Sequence, residues 1–358
     1  MMKCRQARCG SASIGGIIGL AAIILVSVSV VSCDWLSGDK VTAYVAGYYG
    51  NGVSDSVACY WEGQTRHDLP SSGLPAEAAG ISFSGDSIVV AGSYKDASSH
   101  YIACEWVDGS RTDLPSPVAS DDTRAVSAFG YGSDAYCAGF YYNNSLSRFV
   151  ACYWKNGSVT SLAASGTDFA KAAAIAFDGT TVSVVGFHAA TDETACIWTN
   201  GVIADLAVPI TATKSRAYSI QTLGGHVYVA GYYTDGSVKT ACIWVDGART
   251  DLSSGTDGTA SSAFNAGGTN YSAGYLKDGS SIPSASMWTG TSQEFLPAIS
   301  GKLSGASGVV VLDGSIYISG FYGTASDVAV PCYWLDGAKK DLATNAGLAG
   351  FATSIAVR

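Results

Sequence analysis

The stretch from Tyr218 to Leu252, YSIQTLGGHVYVAGYYTDGSVKTACIWVDGARTDL, contains one complete unit of the pattern on which the chain is built. Tyr218-Ser219-Ile220 opens a strand, and Leu223-Gly224-Gly225-His226 turns the chain back into Val227-Tyr228-Val229-Ala230-Gly231-Tyr232. Both runs carry the β-branched and aromatic residues that suit a pleated, buried surface. A polar loop, Thr234-Asp235-Gly236-Ser237, leads to a third strand ending Thr240-Ala241-Cys242-Ile243-Trp244. Asp246-Gly247 follows, a pair that tolerates the positive φ angles of a two-residue hairpin, and Arg249-Thr250-Asp251-Leu252 is the fourth strand. No part of the chain beyond its N-terminal segment shows sustained helical periodicity.

Outward from this unit the same landmarks recur at intervals in the mid-forties. Trp61, Trp106, Trp154, Trp198, Trp244, Trp288 and Trp334 form one series; Gly47, Gly92, Gly139, Gly186, Gly231, Gly274 and Gly320, each ending an apolar run, form a second in step with it. The hairpin pair returns as Asp108-Gly109, Asn156-Gly157, Asn200-Gly201 and Asp336-Gly337. Seven four-stranded repeats of this length predict an all-β fold, a seven-bladed β-propeller. The chain enters at Val41 to Gly47, which matches a second strand, and ends on Ala352-Thr353-Ser354-Ile355, which matches a first. The C-terminal strand is therefore expected to complete the N-terminal blade, which closes the ring and removes two open sheet edges.

Residues 1–32 hold Lys3, Arg5 and Arg8 without an acid, then an apolar small-residue run, the layout of a secretory signal. Val30-Val31-Ser32-Cys33 resembles the bacterial lipobox, and that resemblance implies cleavage before Cys33 and lipidation of its thiol, with residues 33–40 as a tether. The alternative is an uncleaved membrane anchor, since the run approaches the ~20 residues that span a bilayer. Either reading puts the propeller, residues 41–358, outside the cytoplasm, at the cell envelope, periplasmic or surface-exposed. Three basic residues leave with the signal, taking the formal net charge from −9 to −12, which argues against nucleic acid as a partner.

The unit resembles the HAF-type extracellular repeat of bacterial envelope proteins. The likeness is carried by pieces such as Val185-Gly186, Ala195-Cys196-Ile197-Trp198, Asn200-Gly201 and Asp205-Leu206, and it extends over Val41 to Arg358. It implies a propeller fold and an extracytoplasmic location. The chain departs from the family in placing Cys two residues before Trp in six units and Ser286 in the sixth, where an aromatic is more usual.

Those six cysteines, Cys59, Cys104, Cys152, Cys196, Cys242 and Cys332, occupy one equivalent position in six blades. Sheets packed ~10 Å apart hold such residues too far apart for disulfides, so they read as small core residues beside Trp. Cys137 and Cys152 lie on successive strands, and a cross-strand bond between them is left open. Spacing offers no metal site, and no cofactor is expected.

Two columns of residues are candidates for ligand binding on the face that bears the longer loops, such as Pro115 to Thr123 and Ala163 to Ala170. Fifteen residues before each landmark Gly stand Glu77, Arg124, Lys171, Arg216, Thr259 and Gly305, with Phe351 in the closing strand. Arg124, Lys171 and Arg216 thus offer three cations on consecutive blades, suited to a carboxylate, phosphate or acidic sugar; the competing reading pairs each with nearby acids such as Asp121 and Asp122. Two residues after each Gly come Tyr49, Tyr94, Tyr141, His188, Tyr233 and Tyr322, with Leu276 in the sixth unit. They read either as a sugar-stacking rim or as caps on the inter-blade core. The recurring Asp68, Asp113, Asp205, Asp251 and Asp341 before Leu read as structural acceptors at the outer strand.

No nucleophile elbow, phosphate loop or paired metal ligands occur in the mature chain, and the four histidines fall at non-equivalent positions. The expected function is that of a monomeric, lipid-anchored, non-enzymatic binding or scaffold protein, with a glycan, anionic polymer or envelope protein on the loop face. The alternative is a periplasmic hydrolase or lyase acting on an anionic substrate at the channel mouth with Arg124, Lys171 and Arg216.

Overall fold

The turns adopt the geometry their residues require. In a computed structural model that describes residues 41–52, 56–118, 122–162, 168–253 and 255–358, Asp108, Asn156, Asn200, Asp246 and Asp336 have φ of 48–50°, and the glycine after each lies at 77–84°. Both central residues are left-handed, the turn whose twist matches paired strands. The first turn residue also caps the hairpin. Its side-chain oxygen accepts from a strand N–H, that of Ile88, Ala135, Val182, Val227 or Ile316, which is why Asp or Asn stands there.

Between these turns run twenty-eight strands, β1 (Ala43–Gly50) to β28 (Gly350–Val357), with no helix among the described residues. They form seven antiparallel four-stranded sheets, numbered here as blades 1 to 7 by Trp61 to Trp334. Blade 1 has the order β28-β1-β2-β3, with β2 at Ser56–Glu62 and β3 at Thr65–Asp68; the other six sheets are each sequential. Ala43 pairs with Val357 and Tyr49 with Gly350, so the last strand does close the ring. The protein is a seven-bladed β-propeller.

The two landmark series interlock. A Cβ built on Gly92 would sit 2.9 Å from the Trp106 ring and inside the carbonyl oxygen of Glu77, and Gly231 stands likewise against Trp244 and Arg216. The seven tryptophans are at most 1% exposed. The indole N–H of Trp61, Trp106, Trp154, Trp244, Trp288 and Trp334 donates to a backbone carbonyl of the preceding blade, Ala343, Pro70, Pro115, Ala207, Leu252 and Pro297 in turn. Each of these six Trp therefore fills its own blade and fastens it to the one before.

Inner strands are stapled by serine. Ser82, Ser219, Ser262 and Ser354 accept from the N–H of Gly130, Ala263, Val309 and Ile81 on the next blade, satisfying donors that face the channel. Beside every landmark Gly the inner strand also carries a β-bulge, which the sequence reading lacked. The extra residues are Ala79, Val126, Ala173, Tyr218, Ser261, Ser307 and Thr353.

All seven described cysteines are free and buried. Cys137 faces Trp154 across the ladder and Cys152 faces Gly139, two positions apart, and the bond left open between them is not formed. Burial pushes the thiols well above their ordinary range, so they stay protonated and inert. Cys33 and the segment 1–40 lie outside the described residues.

Candidate ligand site at the channel mouth

Strand register sets what stands around the mouth. In each blade the residue fifteen before the landmark Gly pairs with the one directly after it: Glu77 with Ser93, Arg124 with Phe140, Lys171 with Phe187, Arg216 with Tyr232, Thr259 with Tyr275, Gly305 with Phe321, and Phe351 with Tyr48. Six of seven positions after the Gly are aromatic. Five of them, Tyr48, Phe140, Phe187, Tyr275 and Phe321, form a collar with Phe351, and the collar encloses a cavity of about 920 Å³.

The mouth has two unlike halves. On blades 3 to 5 the cavity is lined by Phe140, Lys171, Phe187, Arg216 and Tyr218. Each cation of this arc reaches a ring of the preceding blade. Arg124 lies 3.3 Å over Tyr101, Lys171 is 4.4 Å from the Phe140 ring and 3.8 Å from that of Phe149, and Arg216 is 4.4 Å over Phe187. Such contacts hold the side chains in place without neutralising them. On blades 6, 7 and 1 the lining is Tyr275, Leu303, Gly305, Phe321, Phe351 and Tyr48. There Phe351 sits 5.0 Å from Phe321 and 5.5 Å from Tyr48.

The three cations differ in what balances them. Arg216 is clasped by Glu193 in a two-pronged pair, its Nε 2.6 Å from Oε2, and Arg124 Nε is 3.5 Å from Asp122 Oδ1. The competing reading of the arc, acid pairing, thus describes the two arginines. Lys171 has no ion pair among the described residues. Burial, and then the positive charge of Arg124, hold its ammonium below the ordinary lysine range. An anion at the centre of the arc would first meet this ammonium, which no carboxylate of the described residues contacts.

The sequence column placed two residues after each Gly is not at the mouth. Tyr49, Tyr94, Tyr141, Tyr233 and Tyr322 are 4–8% exposed and lie between blades. The hydroxyls of Tyr49, Tyr94, Tyr233 and Tyr322 donate to Asp68, Asp113, Asp251 and Asp341, the acids of the Asp-Leu pairs. Arg66, Arg111, Arg249 and Lys339 lie over the same rings and pair with the same acids. Burial and the bond to Asp68 push the Tyr49 hydroxyl up to about 12. Tyr141 meets Ser161, and His188 bridges Asp168 and Asp205 at 3.1 and 2.8 Å. Successive residues of a strand face opposite ways, so a column one residue off belongs to the other face. The collar column, Tyr48, Phe140, Phe187, Tyr232, Tyr275 and Phe321, was equally visible in the repeat.

Below the collar the bulge residues form a neck, with Tyr218 the largest side chain, and a second space of about 370 Å³, lined by Ser and Ala positions together with Ile, Val and Phe side chains, continues down the channel. Among the described residues no Asp, Glu or His lines the mouth cavity, and no cluster of three or more His, Cys, Asp or Glu is placed to hold a metal.

No family model matches the chain, and no curated protein does. Solved propellers do. The β-propeller domain of the trilobed protease from Pyrococcus furiosus, described as having an open velcro topology, aligns over 86% of this chain and 93% of its own with 12% identity and a TM-score of 0.53. The acylaminoacyl peptidase of Pyrococcus horikoshii aligns over 86% of this chain and 51% of its own, at 13% identity and a TM-score of 0.52. A prolyl endopeptidase structure gives 83% and 47%, with 10% identity and a TM-score of 0.50. The chain thus spans about half the length of the two peptidases. At such identities the likeness is one of fold, and here, unlike the first of them, the ring is closed.

Proposed function

We propose that the protein is a non-enzymatic binding propeller of the bacterial cell envelope, tethered by a lipid on Cys33, which holds a carboxylated glycan at its channel mouth. The carrying observation is Lys171, a half-buried ammonium without an ion-pair partner among the described residues, set between two arginines and ringed by aromatics. The ammonium and the neighbouring guanidinium groups match a sugar carboxylate, and the collar offers apolar surface to the ring carbons. A hydrolase or lyase at this site would have to draw its proton-transfer group from Lys171 or a tyrosine, since no carboxylate or imidazole of the described residues lines the cavity. The envelope location rests on the signal-like segment and on the HAF-type repeat pattern.

The test is a glycan array probed with the purified protein and with Lys171→Ala. Uronate- or sialate-bearing glycans should be retained by the parent and lost by the variant, with neutral glycans silent in both. Equal signals from the two proteins would remove the site. Metabolic labelling with a radioactive fatty acid tests the tether: label should enter the wild type and not Cys33→Ser.

A further inference from the structure

Two columns of the repeat fill the space between each blade and the next on the short-turn side. Three residues before the landmark Gly stand Tyr44, Val89, Tyr136, Ser183, Tyr228, Tyr271 and Tyr317; directly before Trp stand Tyr60, Glu105, Tyr153, Ile197, Ile243, Met287 and Tyr333. Tyr44 packs onto Phe83 of blade 2, Tyr136 onto Phe177 of blade 4, and Tyr317 and Tyr333 into the core of blade 1. At the junction of blades 2 and 3 both columns break, with Val89 in place of Tyr and Glu105 in place of an apolar side chain. A cavity of about 580 Å³ lies there, bounded by Val89, Glu105 and Val107 on one side and Ala135 on the other, with the short turns at Gly85 and Gly132 at its entrance.

Glu105 is 8% exposed. Its Oε2 receives only the weak donor Cys137 Sγ at 3.6 Å, and no other hydrogen bond to its carboxyl is made among the described residues. A carboxyl this deeply set, with one weak donor, costs stability that Tyr or Ile here would not, and the cavity it lines leaves room for a partner from outside the chain. The charged residues lining the space are Asp86 and Glu105, both acidic, and the remaining polar lining is hydroxyl, amide and backbone. A space of this size suits a small organic molecule, within the roughly 300–1,000 Å³ of ordinary ligand pockets.

We infer that the junction of blades 2 and 3 is a second binding site, on the face opposite the channel mouth, for a small polar molecule bearing a primary ammonium, which seats against the Glu105 carboxylate. The site stands independently of the proposed glycan function.

Calorimetric titration of the purified protein with putrescine and with glucosamine, glucose serving as the uncharged control, tests it. At least one amine should bind and glucose should not. Glu105→Gln, which keeps shape and removes the charge, should weaken that binding at least tenfold. Val89→Tyr, which restores the side chain found in five blades, should do the same by filling the space. Lys171→Ala should leave it unchanged. Binding of neither amine to the parent, or parent-like binding in Glu105→Gln, overturns the inference. Should Val89→Tyr fail to fold, the 13C resonance of the Glu105 carboxyl decides: it should shift in a saturable way as the amine is added to the parent, and an unmoved resonance overturns the inference.

Discussion

Gly231 shows what one residue does in this fold. It lies in extended backbone, so its value is space: an added Cβ would collide with the Arg216 carbonyl and press on the Trp244 ring. Gly231→Ala should therefore destabilise the protein by about 3 kcal/mol, the upper range for overpacking, measured as a lowered denaturant midpoint. Glu105 works in the opposite sense. Burial raises its carboxyl above the ordinary range, so the folded state binds this proton more tightly than the unfolded chain does. Stability then falls as pH rises from the unfolded value near 4 through the folded one. Glu105→Gln should accordingly be more stable than the parent at pH 8, by about 1 kcal/mol or more, and gain nothing at pH 4. Lys171 is shifted downward, so anion binding at the mouth should fade at a pH below the usual lysine value of about 10.4, visible in a pH series of affinities. Loss only above that value would mean that Lys171 is not the group engaged.

At the level of strands and blades, stability rests on contacts that repeat. Trp106→Phe removes an indole N–H from the Pro70 carbonyl as well as ring volume, and should cost about 3 kcal/mol by chemical denaturation. Which of these contacts could be read from sequence follows from their geometry. The Gly and Trp series were legible because each blade needs both to close the same gap, and the Asp-Gly and Asn-Gly turns because only a few residues accept a positive φ at both positions. The bulges were not, since Ala173, Tyr218 or Ser307 inserted into an inner strand leaves no compositional mark. The arc of Arg124, Lys171 and Arg216 was found because its charges are unusual in an acidic chain. Its acid partner Glu193 was missed because it stands on a neighbouring blade, 23 residues away from Arg216. Of the two readings open for the column of Tyr49, Tyr94, Tyr141, His188, Tyr233 and Tyr322, the core cap is the one that holds for Tyr141 and its equivalents: the tilt that turns Phe140 to the mouth and Tyr141 to the core belongs to the assembled ring.

The ring as a whole combines a closed architecture with a mouth that is not sevenfold symmetric. Closure depends on β28: removal of Gly350–Arg358 would strip blade 1 of its inner strand and leave the N–H and C=O groups of β1 unpaired. That deletion should abolish cooperative unfolding of the intact ring and promote association between copies, checked by calorimetry and light scattering. Symmetry is broken at the mouth by placing the lining cations, Lys171 and Arg216, on blades 4 and 5 and apolar surface on blades 6, 7 and 1, with Arg124 outside the lining. A ligand with a carboxylate on one side and an apolar face on the other is the complement of that arrangement. The most direct test compares an acidic oligosaccharide with its carboxyl-reduced, neutral counterpart by calorimetry on the parent and on Lys171→Ala. Binding of the acidic form alone, weakened at least tenfold by the substitution, is the predicted result. Equal affinity for the acidic and reduced forms, or an unchanged affinity in Lys171→Ala, would contradict the account.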